Sequence, residues 1–210
     1  MRPRTNLVLL VPLAALALLP GCLKRSPIAE TWVLDPVAAR GASSPDEKAV
    51  VVVGVLKVAV PGWLERPQVT TRGKDGALVA DEYARWGEPF ARGVQRVLVE
   101  NLAALLPDRR VVAAPFPPST PVDHRVDVTI SEAARQADGS VLVEARWALV
   151  GRRGETLVQR RSSHRATPAA GVAGAVAGTS EALGALSRDV AEALRALPLP
   201  PPGEDAAARK

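Results

Sequence analysis

The amino-acid sequence predicts an α+β fold, a two-layer sandwich in which a mostly antiparallel sheet packs against two main helices. Three observations carry this. Residues 124–164 contain three strand-like runs in succession, "HRVDVTISEAAR", "SVLVEARWALVG" and Glu155 to His164, in which apolar and polar side chains alternate. Apolar residues recur at spacings of three and four between 81 and 106, and again between 176 and 197. The runs are separated by Gly- and Pro-containing turns, which break both kinds of element.

The chain begins with a leader. Arg2 and Arg4 give a positive start, Leu7 to Leu19 is apolar apart from Pro12, and Pro20 and Gly21 close the run. Positive start, apolar middle and small-residue end make a secretory signal peptide over residues 1–21, cleaved from the mature chain. The apolar run is shorter than the about 20 residues that span a bilayer. The chain's only cysteine, Cys22, follows at once. Leu19-Pro20-Gly21-Cys22 resembles the bacterial lipobox, in which the signal is cut before a cysteine that receives lipid. Pro20 stands where a small or β-branched residue is usual. A single cysteine forms no internal disulfide, whereas acyl chains contribute about 0.8 kcal/mol per buried CH₂ and two or more make anchoring stable. Cys22 is therefore the expected site of lipid attachment. No other cofactor is implied.

Residues 22–48 read as a lipidated N-terminus and tether, rich in Pro, Gly and Ser, with one strand-like piece at Thr31 to Leu34. A single α+β domain is expected over 49–197. "AVVVVGVLKVAV" (49–60) is a strand buried on both faces for part of its length. Pro61-Gly62 is a turn. Gln68 to Thr71 and Ala77 to Ala80 are short strands joined through Asp75-Gly76.

A helix is expected over Asp81 to Leu106, with Tyr83, Trp86, Phe90, Val94, Val97, Leu98, Asn101, Leu102 and Leu105 on one face. Pro89 lies within it and predicts a kink or a late start. Arg110 to Ala114 is a strand, and a loop with four prolines follows from Pro115 to Pro121. The three alternating strands then form an antiparallel meander turned at Asp138-Gly139 and Arg153-Gly154. "AAGVAGAVAGT" (169–179) reads as a flexible lead-in to a last helix over 176–197, with Leu183, Leu186, Val190 and Leu194 as its stripe and Thr179 or Ser180 capping an early turn. Residues 198–210 have the composition of a disordered tail.

Charge and motifs exclude several classes. The formal charge falls from +5 to +3 once Arg2 and Arg4 are removed. That weak, mixed balance is not one that binds nucleic acid. His124 and His164 are the only histidines, and with one cysteine no zinc-ligand pattern exists. No phosphate-binding loop or dinucleotide fingerprint is present. Ser162, Ser163 and His164 are neighbours along one strand, whereas a catalytic triad joins groups that face one another, so they read as solvent-facing strand residues. The chain reads as non-enzymatic.

Two stretches combine Trp, Arg and Pro: "VPGWLERPQVTTR" (Val60 to Arg72) and "RWGEPF" (Arg85 to Phe90). Trp and Arg are common anchors at protein interfaces. Trp63, Leu64, Arg66, Arg72, Arg85 and Trp86 are candidate partner-binding residues. The structural alternative has Trp63 and Trp86 packing together to lock the turn before the helix.

With the lipobox, "TWVLDP" and "EYARWGEPFARGVQRVLVENLAALL", these stretches resemble the PqiC family, the ABC-type transport auxiliary lipoproteins. Pro61, Leu64, Arg66, Pro67, Gln68 and Arg72 match its first motif, and Arg85, Trp86, Glu88 and Pro89 its second. Trp63, Glu65, Gly87 and Phe90 depart mildly from it. The resemblance spans about residues 30–197. It implies an outer-membrane lipoprotein facing the periplasm, auxiliary to a phospholipid transport system between the two membranes. The implied partners are an MCE-domain protein and either an inner-membrane permease with its ATPase or a paraquat-inducible membrane protein. It also implies membrane attachment through lipid on Cys22 and a possible homo-oligomeric ring, with no nucleic acid. Leu23, in place of Asp, is consistent by the same resemblance with outer-membrane sorting. The rival reading is an adaptor of another envelope complex with a TolB-like or lipopolysaccharide-assembly-like domain.

Overall fold

A computed structural model describes residues 28–37 and 51–198. Cys22, the leader, the rest of the tether and the tail from 199 lie outside the described residues.

The strands are β1 (Glu30–Trp32), β2 (Val51–Val55), β3 (Gln68–Arg72), β4 (Leu78–Trp86), β5 (Arg109–Ala113), β6 (His124–Arg135), β7 (Val141–Gly151) and β8 (Thr156–Ala166). The helices are α1 (Phe90–Leu105) and α2 (Gly171–Ala196), with a short 3₁₀ turn at Gly62–Leu64. All eight strands form one mixed sheet, and both helices pack on it in the expected two layers.

β6 organises the sheet. Along one edge it pairs antiparallel with β7, which pairs antiparallel with β8. Its other edge takes β2 in parallel at its start, a bridge from Ala59 to Thr129 midway, and β3 in parallel at Arg135. β5 then lies parallel on β2, β4 antiparallel on β3, and β1 parallel on β4. The meander follows its sequence pattern: Val126, Val128 and Ile130, with Val143, Ala145, Trp147 and Leu149, are buried under the helices. The turns use Gly76, Gly139 and Gly154 at positive φ (81°, 86° and 89°), where residues with a Cβ are disfavoured.

β2 is buried at all five positions. α1 contacts one side of it. The Pro-rich loop crowds it so closely that a Cβ on Gly54 would meet the Phe116 ring at 2.5 Å and Val122 at 2.9 Å. That double cover explains the unbroken valine run.

The structure corrects four expectations. The helix expected from Asp81 begins at Phe90, and residues 78–86 are strand β4, hairpinned to β3. Proline fixes its own φ, has no N–H to donate, and disfavours helix in the residue before it. Glu88-Pro89 therefore ends the strand, and the helix starts just after Pro89. The Gly/Ala-rich 169–179 is not a loose lead-in but holds the first turns of α2. A Cβ on Gly178 would lie 2.8 Å from Pro168 and 2.9 Å from Val141, so small residues let the helix approach β7 closely. Thr179 and Ser180 consequently sit inside the helix and donate to the carbonyls of Ala175 and Val176 (2.8 and 3.1 Å) rather than capping it. Finally, part of the presumed tether belongs to the body: β1 joins the sheet, Leu34 is buried in the core, and the Asp35 N–H donates to Ser180 Oγ at 3.0 Å.

Candidate functional site

The structure brings the two Trp/Arg/Pro stretches together. The 3₁₀ turn at Gly62–Leu64 is held by Leu64 N–H to Pro61 O (2.8 Å) and Glu65 N–H to Gly62 O (3.2 Å). It delivers Pro67 to the end of β4, where Trp86 N–H donates to Pro67 O at 2.7 Å. Gln68 faces Arg85 across the β3–β4 pair, and Gly87 N–H donates to Trp32 O at 2.7 Å. Three segments distant in sequence, "TWVLDP", "PGWLERP" and "RWGEPF", thus meet at one corner.

Each candidate side chain has a definite place there. Trp63 and Trp86 are half-buried against the core. Trp86 stacks at a tilt on Phe90, the first residue of α1, with centroids 5.1 Å apart and planes at 49°. Trp63 instead lies under the Arg72 guanidinium, 5.8 Å from its ring centroid, a cation–π geometry. Arg72 is fixed by a forked pair with Glu132 on β6 (3.2 and 2.6 Å) and by Gly76 O (3.3 Å). The hydrogen bond with Glu132 holds the Arg72 guanidinium above its ordinary value. Leu64 faces the core and is buried, so it shapes the corner from beneath. Arg66 and Arg85 are exposed at its surface.

A second network ties the corner to α1. Arg96 donates to Glu88 (3.0 and 2.8 Å), to Glu100 (3.4 Å) and to Leu34 O (2.9 Å). Burial pulls the Arg96 guanidinium down, but Glu88 and Glu100 more than offset that and leave it above its usual value. Beside Glu88 opens a groove of about 680 Å³ between α1 and the ends of β2 and β5. Lys57 and Arg92 are exposed along it. On its inner side Gln95 donates to the carbonyls of Val55, Leu56 and Ala114, each at 3.1 Å. Sequence reasoning missed the groove, because its walls come from three separate segments.

Ser162 and His164 have structural partners. Ser162 and His164 share the face of β8 toward α2, and Asp189 bridges them: Ser162 Oγ donates to it at 2.5 Å and His164 Nε2 lies 2.8 Å away. Ser162 also accepts from Trp147 Nε1 at 3.0 Å. The serine is engaged by the carboxylate and not by the imidazole, which is the wrong order for a base-activated nucleophile. These two residues are thus helix–strand ties and not the solvent-facing positions the sequence suggested. His124 is buried, and burial followed by the Arg109 charge lowers its pKa. Among the described residues no group of three His, Cys, Asp or Glu side chains is placed to hold a metal ion, and no helix is long and apolar enough to cross a membrane.

The architecture is shared with solved structures. An uncharacterised protein aligns with a TM-score of 0.67 at 20% identity, over 80% of this chain and 99% of that one. Protein XCC0632 from Xanthomonas campestris, of the DUF330 family, aligns with a TM-score of 0.61 at 13% identity, over 77% of this chain and 92% of that one. No curated protein matches the chain. Fold and corner together define a two-layer α+β domain shared with these structures. The chain belongs to the ABC-type transport auxiliary lipoprotein component family, whose model matches residues 32–191. That match begins at Trp32 in β1, inside the stretch first read as tether, and takes in all six residues of the corner.

Proposed function

We propose that this protein is a non-enzymatic outer-membrane lipoprotein that faces the periplasm and docks an MCE-domain protein there, as the auxiliary subunit of an intermembrane phospholipid transport system. The observation that carries this is the family match over residues 32–191, with Cys22 placed directly after a signal-like leader. Lipid on Cys22 holds the domain at the bilayer. The 13 residues 38–50 separate Val37 from Val51, so the anchor reaches the body through the short stretch before β1. Tethering raises the effective concentration of a docking surface, so individual contacts can be weak. The corner of Trp63, Arg66, Arg72, Arg85 and Trp86 is the docking surface in this reading, with Leu64 as its buried support. The partner complex at the inner membrane carries a permease and ATPase or a paraquat-inducible protein. A homo-oligomeric ring of the lipoprotein is part of the same reading.

The test is affinity purification of the tagged full-length protein from its own envelope, alongside Cys22→Ala. The wild type should fractionate with outer membranes and co-purify an MCE-domain protein with its inner-membrane components. Cys22→Ala should appear in the soluble fraction. Membrane retention of Cys22→Ala would overturn the anchor. Recovery of other envelope proteins without an MCE-domain protein would replace this function with the adaptor reading.

A further inference from the structure

The meander has a second face, turned away from both helices. Val143, Ala145, Trp147 and Leu149 of β7 are buried on the helix side, and successive side chains of a strand alternate between faces. Glu144 and Arg146 therefore point to the outer face. Directly opposite residues of an antiparallel pair share a face, so Ser163, opposite Glu144, and Arg161, opposite Arg146, point there too. Thr129 of β6 flanks Arg146 on its other side. The β7–β8 register is unbroken here, since its one shift lies between Leu149 and Val150. Glu144, Arg146, Arg161 and Ser163 are all exposed.

Arg146 beside Arg161 is unfavourable by itself, because like charges directly opposite on a sheet repel. Neither arginine forms an ion pair with a described residue. Arg72 and Arg165 of the same sheet, in contrast, hold Glu132 and Asp138. The two arginines line a hollow of about 360 Å³ together with Ser131, Glu144 and Ser163. Two guanidiniums against the one carboxylate of Glu144 leave this hollow a single net positive charge. It also carries two hydroxyls, of which Ser131 Oγ donates to Glu144 O at 3.3 Å. A guanidinium is a planar fork of donors that matches the oxygens of a carboxylate or a phosphate. A carboxylate holds both oxygens in one plane and fills one fork. The tetrahedral phosphorus of a phosphodiester directs its two free oxygens to different sides, toward two forks at once, and carries one negative charge.

We propose that Arg146 and Arg161 form a binding site for a phosphodiester group on the outer face of the sheet, with the Ser163 hydroxyl as a further donor. The group belongs either to a phospholipid headgroup or to a free phosphodiester, and the recognition chemistry is the same for both. The site lies on β7 and β8, outside the Trp63–Trp86 corner, and does not rest on the docking function proposed above.

The test titrates the full-length protein in nonionic detergent with two probes, dimethyl phosphate in solution and phosphatidylglycerol doped into the micelles, each followed by phosphorus NMR linewidth. The wild type should bind at least one of them saturably. Arg146→Gln and Arg161→Gln should each weaken binding about tenfold, as the loss of a charge-assisted hydrogen bond does. The double variant should abolish it, with a melting temperature no lower than that of the wild type. Arg146→Lys keeps the charge but not the fork, and should also weaken binding. Arg160→Gln is the control, since Arg160 stands on the same strand opposite helix-facing Trp147, and it should bind like the wild type. Saturable binding of both probes with similar affinity supports the site and assigns it to free phosphodiesters. Tighter binding of phosphatidylglycerol supports it and assigns it to a lipid headgroup. No saturable binding of either probe, unchanged binding in the double variant, or equal weakening by Arg160→Gln, the mark of diffuse surface charge, would overturn the proposal.

Discussion

At the scale of residues, the motif positions are mostly builders of the corner. Glu88 anchors Arg96, and Arg96 reaches back to Leu34 O. Arg72 is held by Glu132, sixty residues away, while it covers Trp63. None of these pairings is legible in the sequence, because periodicity reports which face a residue takes within its own element and not its partner in another. Buried His124 gives a pH test. Its pKa is lowered by burial and then by Arg109, so the unfolded chain, with a histidine pKa of about 6.5, takes up the proton before the folded one does. Stability therefore falls as pH drops from about 6.5 toward the folded-state pKa. Melting temperature should decline over that window in the wild type, and decline less in His124→Gln. Superimposable pH profiles would show that His124 does not carry the effect. Asp138 is lowered too, chiefly by its hydrogen bonds from Ser140, so its titration lies further down in pH.

At the scale of elements, legibility followed the physics of each pattern. The meander was readable because Val126, Val128, Ile130 and their neighbours on β7 keep a strict period of two, which only a half-buried strand requires. β4 was misread because Tyr83, Trp86, Phe90 and Val94 happen to fall at helical spacing, although the first two belong to a strand and the last two to α1. Pro89 was the one local sign of the break. The parallel pairings of β2 with β5 and β6 leave no local trace, since each joins segments more than fifty residues apart. The start of α2 was hidden by its glycines, which weaken a helix in isolation but allow contact with Val141 and Pro168. Gly178→Val should therefore destabilise the fold by about 1–3 kcal/mol through overpacking, read by chemical denaturation. An unchanged midpoint would mean that the helix does not need this close approach.

At the scale of the whole molecule, the proposed organisation is a leader, a cysteine for lipid, a connecting stretch and one α+β body. The body starts earlier than composition suggested, because β1 and Leu34 are built into it. This matters for docking. A body held from residue 30 onward stands on a shorter leash than one held from residue 49, since a flexible chain's reach grows with about the square root of its length. The Trp63–Trp86 corner is formed where β1, β3 and β4 meet, so the segment nearest the anchor also frames the proposed docking surface.

The central claim is that this corner docks an MCE-domain protein at the outer membrane. The most direct measurement places a photo-crosslinking benzophenone amino acid at Arg85, exposed at the corner, in the full-length protein in its own envelope, and identifies the adducts by mass spectrometry. The account predicts a covalent adduct with an MCE-domain protein, and none from the same probe placed at exposed Arg153. Adducts from Arg85 only to other envelope proteins, or to further copies of this chain, would contradict it.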